Sequence, residues 1–454
     1  MIHQYKLMGQ NIVIDTAGGA IHQVDELVYD AIALYESHTA EEIKAELAVR
    51  YPAEPPAEFD AVLEAIEALK AAKQLFASEM PYREIAGEVK RSGEVKALCL
   101  HVAHTCDLTC AYCFAREGQY HGERALMSFE VGKQALDFLL KSSGERYNLE
   151  VDFFGGEPLL NWDVVKALVA YGRSQEAQWG KRFRFTLTTN GMRLNDEVIG
   201  FANREMENVV LSLDGRRETH DHFRKTAAGR GSYDTVVPKF QELIRRRTKG
   251  STYIRGTFTR HNLDFAEDIL HMADLGLTEL SMEPVVCPAG DAYALRPSDL
   301  PRIFAEYERL AMEMAARAKE GRSFRFYHYM LDFDHGPCVY KRLVGCGSGT
   351  EYLAVTPWGE LFPCHQFVGD DKFSMGDVRQ GVTNTALRDE LAGCNVYNRP
   401  ACKDCWARLF CGGGCAANAY HTAGDVRGID EMGCALFKKR LECAVALKAM
   451  GVDC

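Results

Sequence analysis

Three cysteines within "HTCDLTCAYCF" carry the first chemical signal. They are Cys106, Cys110 and Cys113, spaced Cys-x3-Cys-x2-Cys with an aromatic on each side of the last. Tetrahedral zinc and iron–sulfur clusters both usually take four protein ligands. Three thiolates on a cluster leave one position open, as a catalytic metal does for substrate or cofactor. The alternative is a zinc knuckle completed by His104 or His121. A second set contains Cys346, Cys364, Cys402, Cys405, Cys411, Cys415 and Cys434, with Cys402-x2-Cys405-x5-Cys411-x3-Cys415 at its centre. Taken alone, that spacing also suits a zinc ribbon.

The elements that must position these residues alternate. Apolar strands are predicted at 95–103, 149–154, 183–189, 208–213, 252–259 and 278–283, each followed by an amphipathic helix. Six such units imply an α/β fold with a parallel sheet, curled into a partial (β/α)6 barrel. Chemistry in these folds sits at the carboxyl ends of the strands. The Cys106 loop, Gly155-Gly156-Glu157-Pro158, Thr189-Asn190-Gly191 and Ser212-Leu213-Asp214-Gly215 all fall there. Residues 1–90 hold no cysteine and read as a small α+β module, with Thr39 and Glu42 as a capping box. From about 330 the chain is rich in cysteine and glycine, as in folds held together by metal. The expected division is 1–90, 91–325 and 326–454.

Composition narrows the classes. A chain of 454 residues with sixteen cysteines and no sign of export points to metal binding or catalysis rather than disulfides. The net charge of −11 argues against nucleic acid as the main partner. No apolar run reaches membrane-spanning length and no signal-peptide pattern opens the chain, so no membrane association and a cytoplasmic location are expected.

On these residues the sequence resembles the radical S-adenosylmethionine (SAM) superfamily. The resemblance implies a [4Fe-4S] cluster on Cys106, Cys110 and Cys113, whose open iron binds the amino and carboxylate groups of SAM. It implies reductive cleavage of SAM to a 5′-deoxyadenosyl radical that takes hydrogen from substrate. Gly155, Gly156 and Glu157 match the segment that meets the methionine amino group. Ser212 and Arg224 match the carboxylate site, and the resemblance implies Asn190 near the ribose and the Tyr112 backbone against adenine. The later cysteines resemble the SPASM domain, which holds two auxiliary [4Fe-4S] clusters. That implies Cys402, Cys405, Cys411 and Cys434 on the outer cluster and Cys346, Cys364 and Cys415 on the inner one. Cys338 or a substrate thiolate would complete the inner set. Cys99, Cys287, Cys394, Cys443 and Cys454 stand outside both.

The order of domains resembles ribosomal-peptide maturases, and most of all those of the six-cysteine SCIFF peptides. There the leader of a precursor peptide adds as a strand to the N-terminal module, and a thioether joins cysteine sulfur to a carbon of another residue, a threonine. A low-potential electron donor is implied as a further partner. The alternatives are a sulfatase-maturing type of enzyme, oxidising Cys or Ser to formylglycine, and a non-catalytic zinc-binding peptide scaffold. The base is unassigned; Glu279 and Glu283 lie on the sixth strand.

Overall fold

The computed structural model describes residues 1–88, 93–116, 118–120, 122–331 and 339–452. It opens on a three-stranded antiparallel sheet of β1 (Ile2–Leu7), β2 (Gln10–Asp15) and β3 (Ala20–Val24). Helices α1 (Glu26–Leu34), α2 (Ala40–Arg50), α3 (Pro56–Ala71) and α4 (Met80–Glu88) follow. The capping box is present: Thr39 Oγ1 accepts from the Glu42 N–H, and the Glu42 carboxylate accepts from the Thr39 N–H at 2.8 Å. Val13, Leu27, Ile43, Leu47, Phe59 and Ile66 give this module a core of its own. Buried Asp15 ties sheet to helices by accepting from the backbone N–H groups of Ala17, Gly18 and Ala77 at 2.9, 2.9 and 2.7 Å.

The central region has the alternating order expected. It runs β4 (Ala97–Ala103), α5 (Phe129–Ser142), β5 (Asn148–Gly155), α6 (Trp162–Trp179), β6 (Arg182–Thr189), α7 (Asp196–Glu205) and β7 (Met206–Ser212). It continues α8 (Arg217–Phe223), α9 (Tyr233–Arg246), β8 (Ser251–Phe258), α10 (Phe265–Asp274), β9 (Glu279–Pro284), α11 (Leu300–Lys319) and β10 (Arg325–Phe326). Strands β4 to β10 are all parallel and lie in sequence order. The short helix α8 was not expected, since "RETHDHF" has too few apolar residues to show a period.

Alternate residues divide the sheet into two unlike faces. Val151, Phe153, Phe183, Phe185, Val209 and Leu211 are buried on one face. Helix α6 packs there so closely that a Cβ on its Gly172 would come within 2.8 Å of Phe185. The other face carries Asp152, Thr186, Asn208, Ser212, Arg255 and Glu283, and it is polar. A polar inner face is what leaves room for chemistry.

The last region comprises α12 (Val339–Val344), β11 (Tyr352–Val355), β12 (Glu360–Phe362), β13 (Gly376–Asp377), β14 (Gly381–Val382), α13 (Thr385–Ala392), α14 (Arg408–Cys411), α15 (Ala416–Ala423) and α16 (Glu431–Ala449). Its strands do not form a separate sheet. β11 pairs parallel with β4, Leu353 opposite Leu98, and β12 to β14 extend the same sheet to eleven strands. Helix α16 packs on α11 and on β1, where the Tyr5 hydroxyl donates to the Glu442 carbonyl at 2.9 Å. Buried Arg408 pairs with Glu79, joining the N-terminal module to the cysteine-rich region. Among the described residues no helix is long and apolar enough to cross a membrane.

Phe185 is fully buried, with ring centroids 5.6 Å from both Phe153 and Phe183. Phe185→Ala should therefore cost about 3–5 kcal/mol, seen as a lowered urea midpoint.

Candidate functional site

The Cys106 loop leaves β4 and lies against the loop that leaves β5. Backbone bonds join them: Gly156 N–H donates to the Ala103 carbonyl at 2.7 Å and Glu157 N–H to the Thr105 carbonyl at 2.9 Å. The approach is too close for side chains. A Cβ on Gly156 would stand 2.1 Å from the Thr105 oxygen, and one on Gly155, at φ +120, 2.4 Å from the Ala103 oxygen. Tyr120 adds a brace, its hydroxyl donating to the Gly155 carbonyl at 3.1 Å.

Cys106, Cys110 and Cys113 occupy this loop as electrostatic neighbours. Burial raises the Cys106 thiol far above its usual range, with Glu157 and Cys110 adding to the rise. Burial pushes Cys110 up to about 12, Arg224 opposing and Cys113 adding. Such thiols ionise only if a cation joins them. Among the described residues no three His, Cys, Asp or Glu side chains converge closely enough to hold one metal ion. The donors are sulfur only, half-buried and mutually repelling once ionised, which fits an iron–sulfur group carrying its own charge and bulk. His104 does not join them. Its Nε2 meets His101 Nδ1 at 3.1 Å inside the sheet, and its ring stacks on Tyr120. His121 lies outside the described residues.

Glu157 is 1% exposed and sits where the ends of β5 and β6 meet. Its carboxylate accepts from Leu159 N–H at 3.0 Å, Thr189 Oγ1 at 2.8 Å and Asn190 N–H at 2.8 Å. Burial pushes its pKa up to about 7 against these bonds. Among the described residues it has no cationic partner, so the site fits a ligand bearing an ammonium group. Asn190 Nδ2 donates to Asp107 at 2.8 Å and lies 3.6 Å from Cys106 Sγ.

Around Asp214 a second network forms. Fully buried, it accepts from Arg224 Nε at 2.9 Å and Nη2 at 3.1 Å, Tyr112 Oη at 2.5 Å and Thr257 N–H at 3.0 Å. The Arg224 guanidinium lies 5.6 Å from the Tyr112 ring centroid. Backbone N–H of Asp214 donates to His220 Nδ1 at 3.3 Å, which leaves His220 Nε2 to donate to Ser232 at 2.9 Å. Arg224 is thus held by a carboxylate of its own chain, not waiting free for one. Its Nη1 edge remains for another anion, and Ser212 ends β7 two residues before Asp214.

The later cysteines fall into two neighbourhoods. Burial pushes Cys364 up to about 12, with Cys415 and Cys346 adding; burial raises Cys415, and Cys346 adds there too. Separately, Cys411 is pushed up to about 12 by burial, Cys434 and Cys402, while Cys434 reaches about 11 through burial, Cys402 and Cys405. These influences link Cys364 and Cys415 with Cys346, and Cys411 and Cys434 with Cys402 and Cys405. Cys338 and Cys454 lie outside the described residues. Cys99, Cys394 and Cys443 are buried.

Asp107 and His220 were given no role from the sequence, and Thr189 and Asp214 appeared only as members of strand-end segments. Their signal was faint: one acid inside the Cys-x3-Cys spacing, another two places after Ser212. Their partners are distant in the chain, so only the fold reveals them.

Residues 100–273 match the Radical SAM superfamily. The cysteine-type anaerobic sulfatase-maturating enzyme of Clostridium novyi is 23% identical over 69% of this chain and 85% of its own. The fold resembles anSMEcpe with bound AdoMet and Kp18Cys peptide, with a TM-score of 0.65, 19% identity and coverage of 78% of this chain and 99% of that one. It also resembles Streptococcus suis SuiB bound to precursor peptide SuiA, with a TM-score of 0.51, 14% identity and coverage of 92% and 95%.

Asp214→Ala would leave the buried Arg224 cation without its anion. The expected loss is about 3–5 kcal/mol of stability, measured by urea denaturation beside the parent protein.

Proposed function

We propose that this chain, whose residues 100–273 form a radical SAM domain, is a peptide maturase. It would join a cysteine sulfur to a carbon of another residue, threonine by resemblance, in a ribosomally made cysteine-rich precursor. The feature that carries the reading is the seven later cysteines of the sequence, which by resemblance divide into a group of four and a group of three. Four thiolates close a cluster, while three leave a position that a substrate sulfur can take. The group of three would lie beside the radical site, since His365, next to Cys364, packs 5.6 Å from the ring of Phe114, next to Cys113.

When bound and reduced on Cys106, Cys110 and Cys113, a [4Fe-4S] cluster supplies SAM cleavage and, through the adenosyl radical, removal of a substrate hydrogen. The chain's own residues orient the cofactor. Glu157 would hold the ammonium of SAM, with Gly155 and Gly156 letting backbone approach it. Ser212 and the Nη1 edge of Arg224 would hold its carboxylate. Asn190 would face the ribose, and the Tyr112 backbone the adenine. The inner auxiliary cluster is assigned to Cys346, Cys364 and Cys415, and the outer one to Cys402, Cys405, Cys411 and Cys434.

In the N-terminal module β1 is pinned against α16, which leaves β3 as the outer strand to which a leader would add. Exposed Phe114, Tyr327 and Trp358 offer apolar surface to the core peptide. A low-potential electron donor would dock from outside. A second reading, oxidation of a Cys or Ser side chain to the aldehyde, is favoured by the likeness to the sulfatase-maturating relative. The SuiB fold, however, spans more of this chain, whereas the anSMEcpe match leaves about a fifth unmatched.

Anaerobic metal analysis should find roughly twelve irons per chain; a colourless zinc protein that fails to cleave SAM would favour a binding scaffold. Changing Cys106, Cys110 and Cys113 together to Ala should abolish SAM cleavage and remove about a third of the iron. Incubation of precursor, SAM and reductant should yield peptide two hydrogens lighter with one thiol protected from alkylation per ring. If every peptide thiol stays alkylatable, the thioether reading falls.

A further inference from the structure

Two side chains on the polar face of the sheet belong to none of the sites above. Glu279 and Glu283 both lie on β9, and the structure separates them. Glu279 starts the strand and pairs with Arg325 at 3.4 Å, at the end of the sheet away from the cysteine loop. Glu283 is at the carboxyl end, opposite Thr257 of β8. One rung lower, Arg255 stands opposite Ser281 on the same face. The alternating residues Ile254, Phe258, Leu280 and Met282 are buried on the far side.

Glu283 is held from behind. His328 Nε2 lies 3.5 Å from its Oε1, and Arg440 Nη1 lies 3.2 Å from His328 Nδ1. An arginine can only donate, so His328 Nδ1 must accept and Nε2 carries the proton, which faces both Ser281 Oγ and the Glu283 carboxylate at 3.5 Å. Arg440 is fixed in turn, its Nε donating to the Tyr307 hydroxyl at 2.8 Å. His328 is 8% exposed and Glu283 30%, so the chain of bonds is closed to solvent until it reaches that carboxylate. Burial would raise the Glu283 pKa, but His328, Arg255 and Arg440 more than offset this and keep it below the ordinary value. Ser281 and Tyr327 are its other polar neighbours. The exposed Arg255 side chain makes no hydrogen bond or close ion pair among the described residues. It stands opposite Ser212 of β7, and His365, the residue after Cys364, packs 5.2 Å from the ring of Phe154 on the same face.

An ionised acceptor and an unpaired donor side by side match the N–H and C=O of a peptide unit. We infer that Arg255 and Glu283 form a subsite that grips the backbone of the substrate's core segment between the radical site and the Cys346–Cys364–Cys415 group, with His328 and Arg440 as positioning residues. The inference rests on the peptide-maturase reading for its substrate class but not on thioether chemistry. Each bond to a charged group, made in a partly desolvated place, should matter about ten- to a hundredfold in affinity.

The test uses iron-loaded full-length protein with a synthetic core peptide lacking leader, and with leader peptide alone. Glu283→Leu and Arg255→Met should each weaken core binding about ten- to a hundredfold, leaving leader affinity and iron content unchanged. Glu283→Gln, which keeps an acceptor oxygen, should recover part of the loss, and Glu279→Gln should bind as wild type does. Core peptides N-methylated one residue at a time should contain one position that costs wild type affinity but costs Glu283→Leu nothing further. Core affinity unchanged in both Glu283→Leu and Arg255→Met would overturn the subsite, as would parallel loss of leader binding. Wild-type protein that binds and modifies peptide without closing a thioether would sink the earlier reading alone.

Discussion

The contact on which the site depends is between two stretches of backbone. The exits of β4 and β5 touch so closely that the Thr105 oxygen occupies the place of any Cβ on Gly156. Through that contact the three-cysteine loop is fixed relative to Glu157, and Glu157 reaches on to Thr189 and Asn190 at the exit of β6. Three successive strand ends are thus locked into one surface before any cofactor arrives. Parallel strands make this possible, because their carboxyl ends all emerge on one side.

Charge distribution follows the same surface. The chain places its own counterions where it needs rigidity and withholds them where a ligand must bind. Asp214 is saturated by four donors, and Arg224 is held by it. Among the described residues Glu157 has donors but no cation, and in the Cys106 loop Arg224 eases only Cys110 against the neighbouring thiols. Leaving buried ionisable groups without an opposite charge is costly. Their clustering at one end of one sheet suits the cluster and the zwitterionic cofactor proposed for this site.

Much of this was legible in the sequence because the signals are local. Strand and helix periods located all six βα units to within a few residues, and the spacing of Cys106, Cys110 and Cys113 is confined to one loop. The Gly155-Gly156 pair was also visible, although its reason, a carbonyl from another strand, was not. What the sequence hid involves long separations. The pairing of Asp214 with Tyr112 spans 102 residues and that of Arg440 with His328 spans 112. Neither leaves a periodic trace. The expected boundary after 325 likewise could not show that β11 would return to pair with β4, since four apolar residues fit many surroundings.

That return has a consequence for making the protein. β4 is buried along its whole length, and β11 covers the flank away from β5. If the cysteine-rich region needs the proposed auxiliary clusters to assemble, protein made without iron would present β4 as an uncovered apolar edge with unsatisfied backbone groups, a template for intermolecular pairing. Iron starvation during synthesis would then show itself as inclusion bodies rather than as a soluble apoprotein, and truncation after the barrel would carry the same penalty.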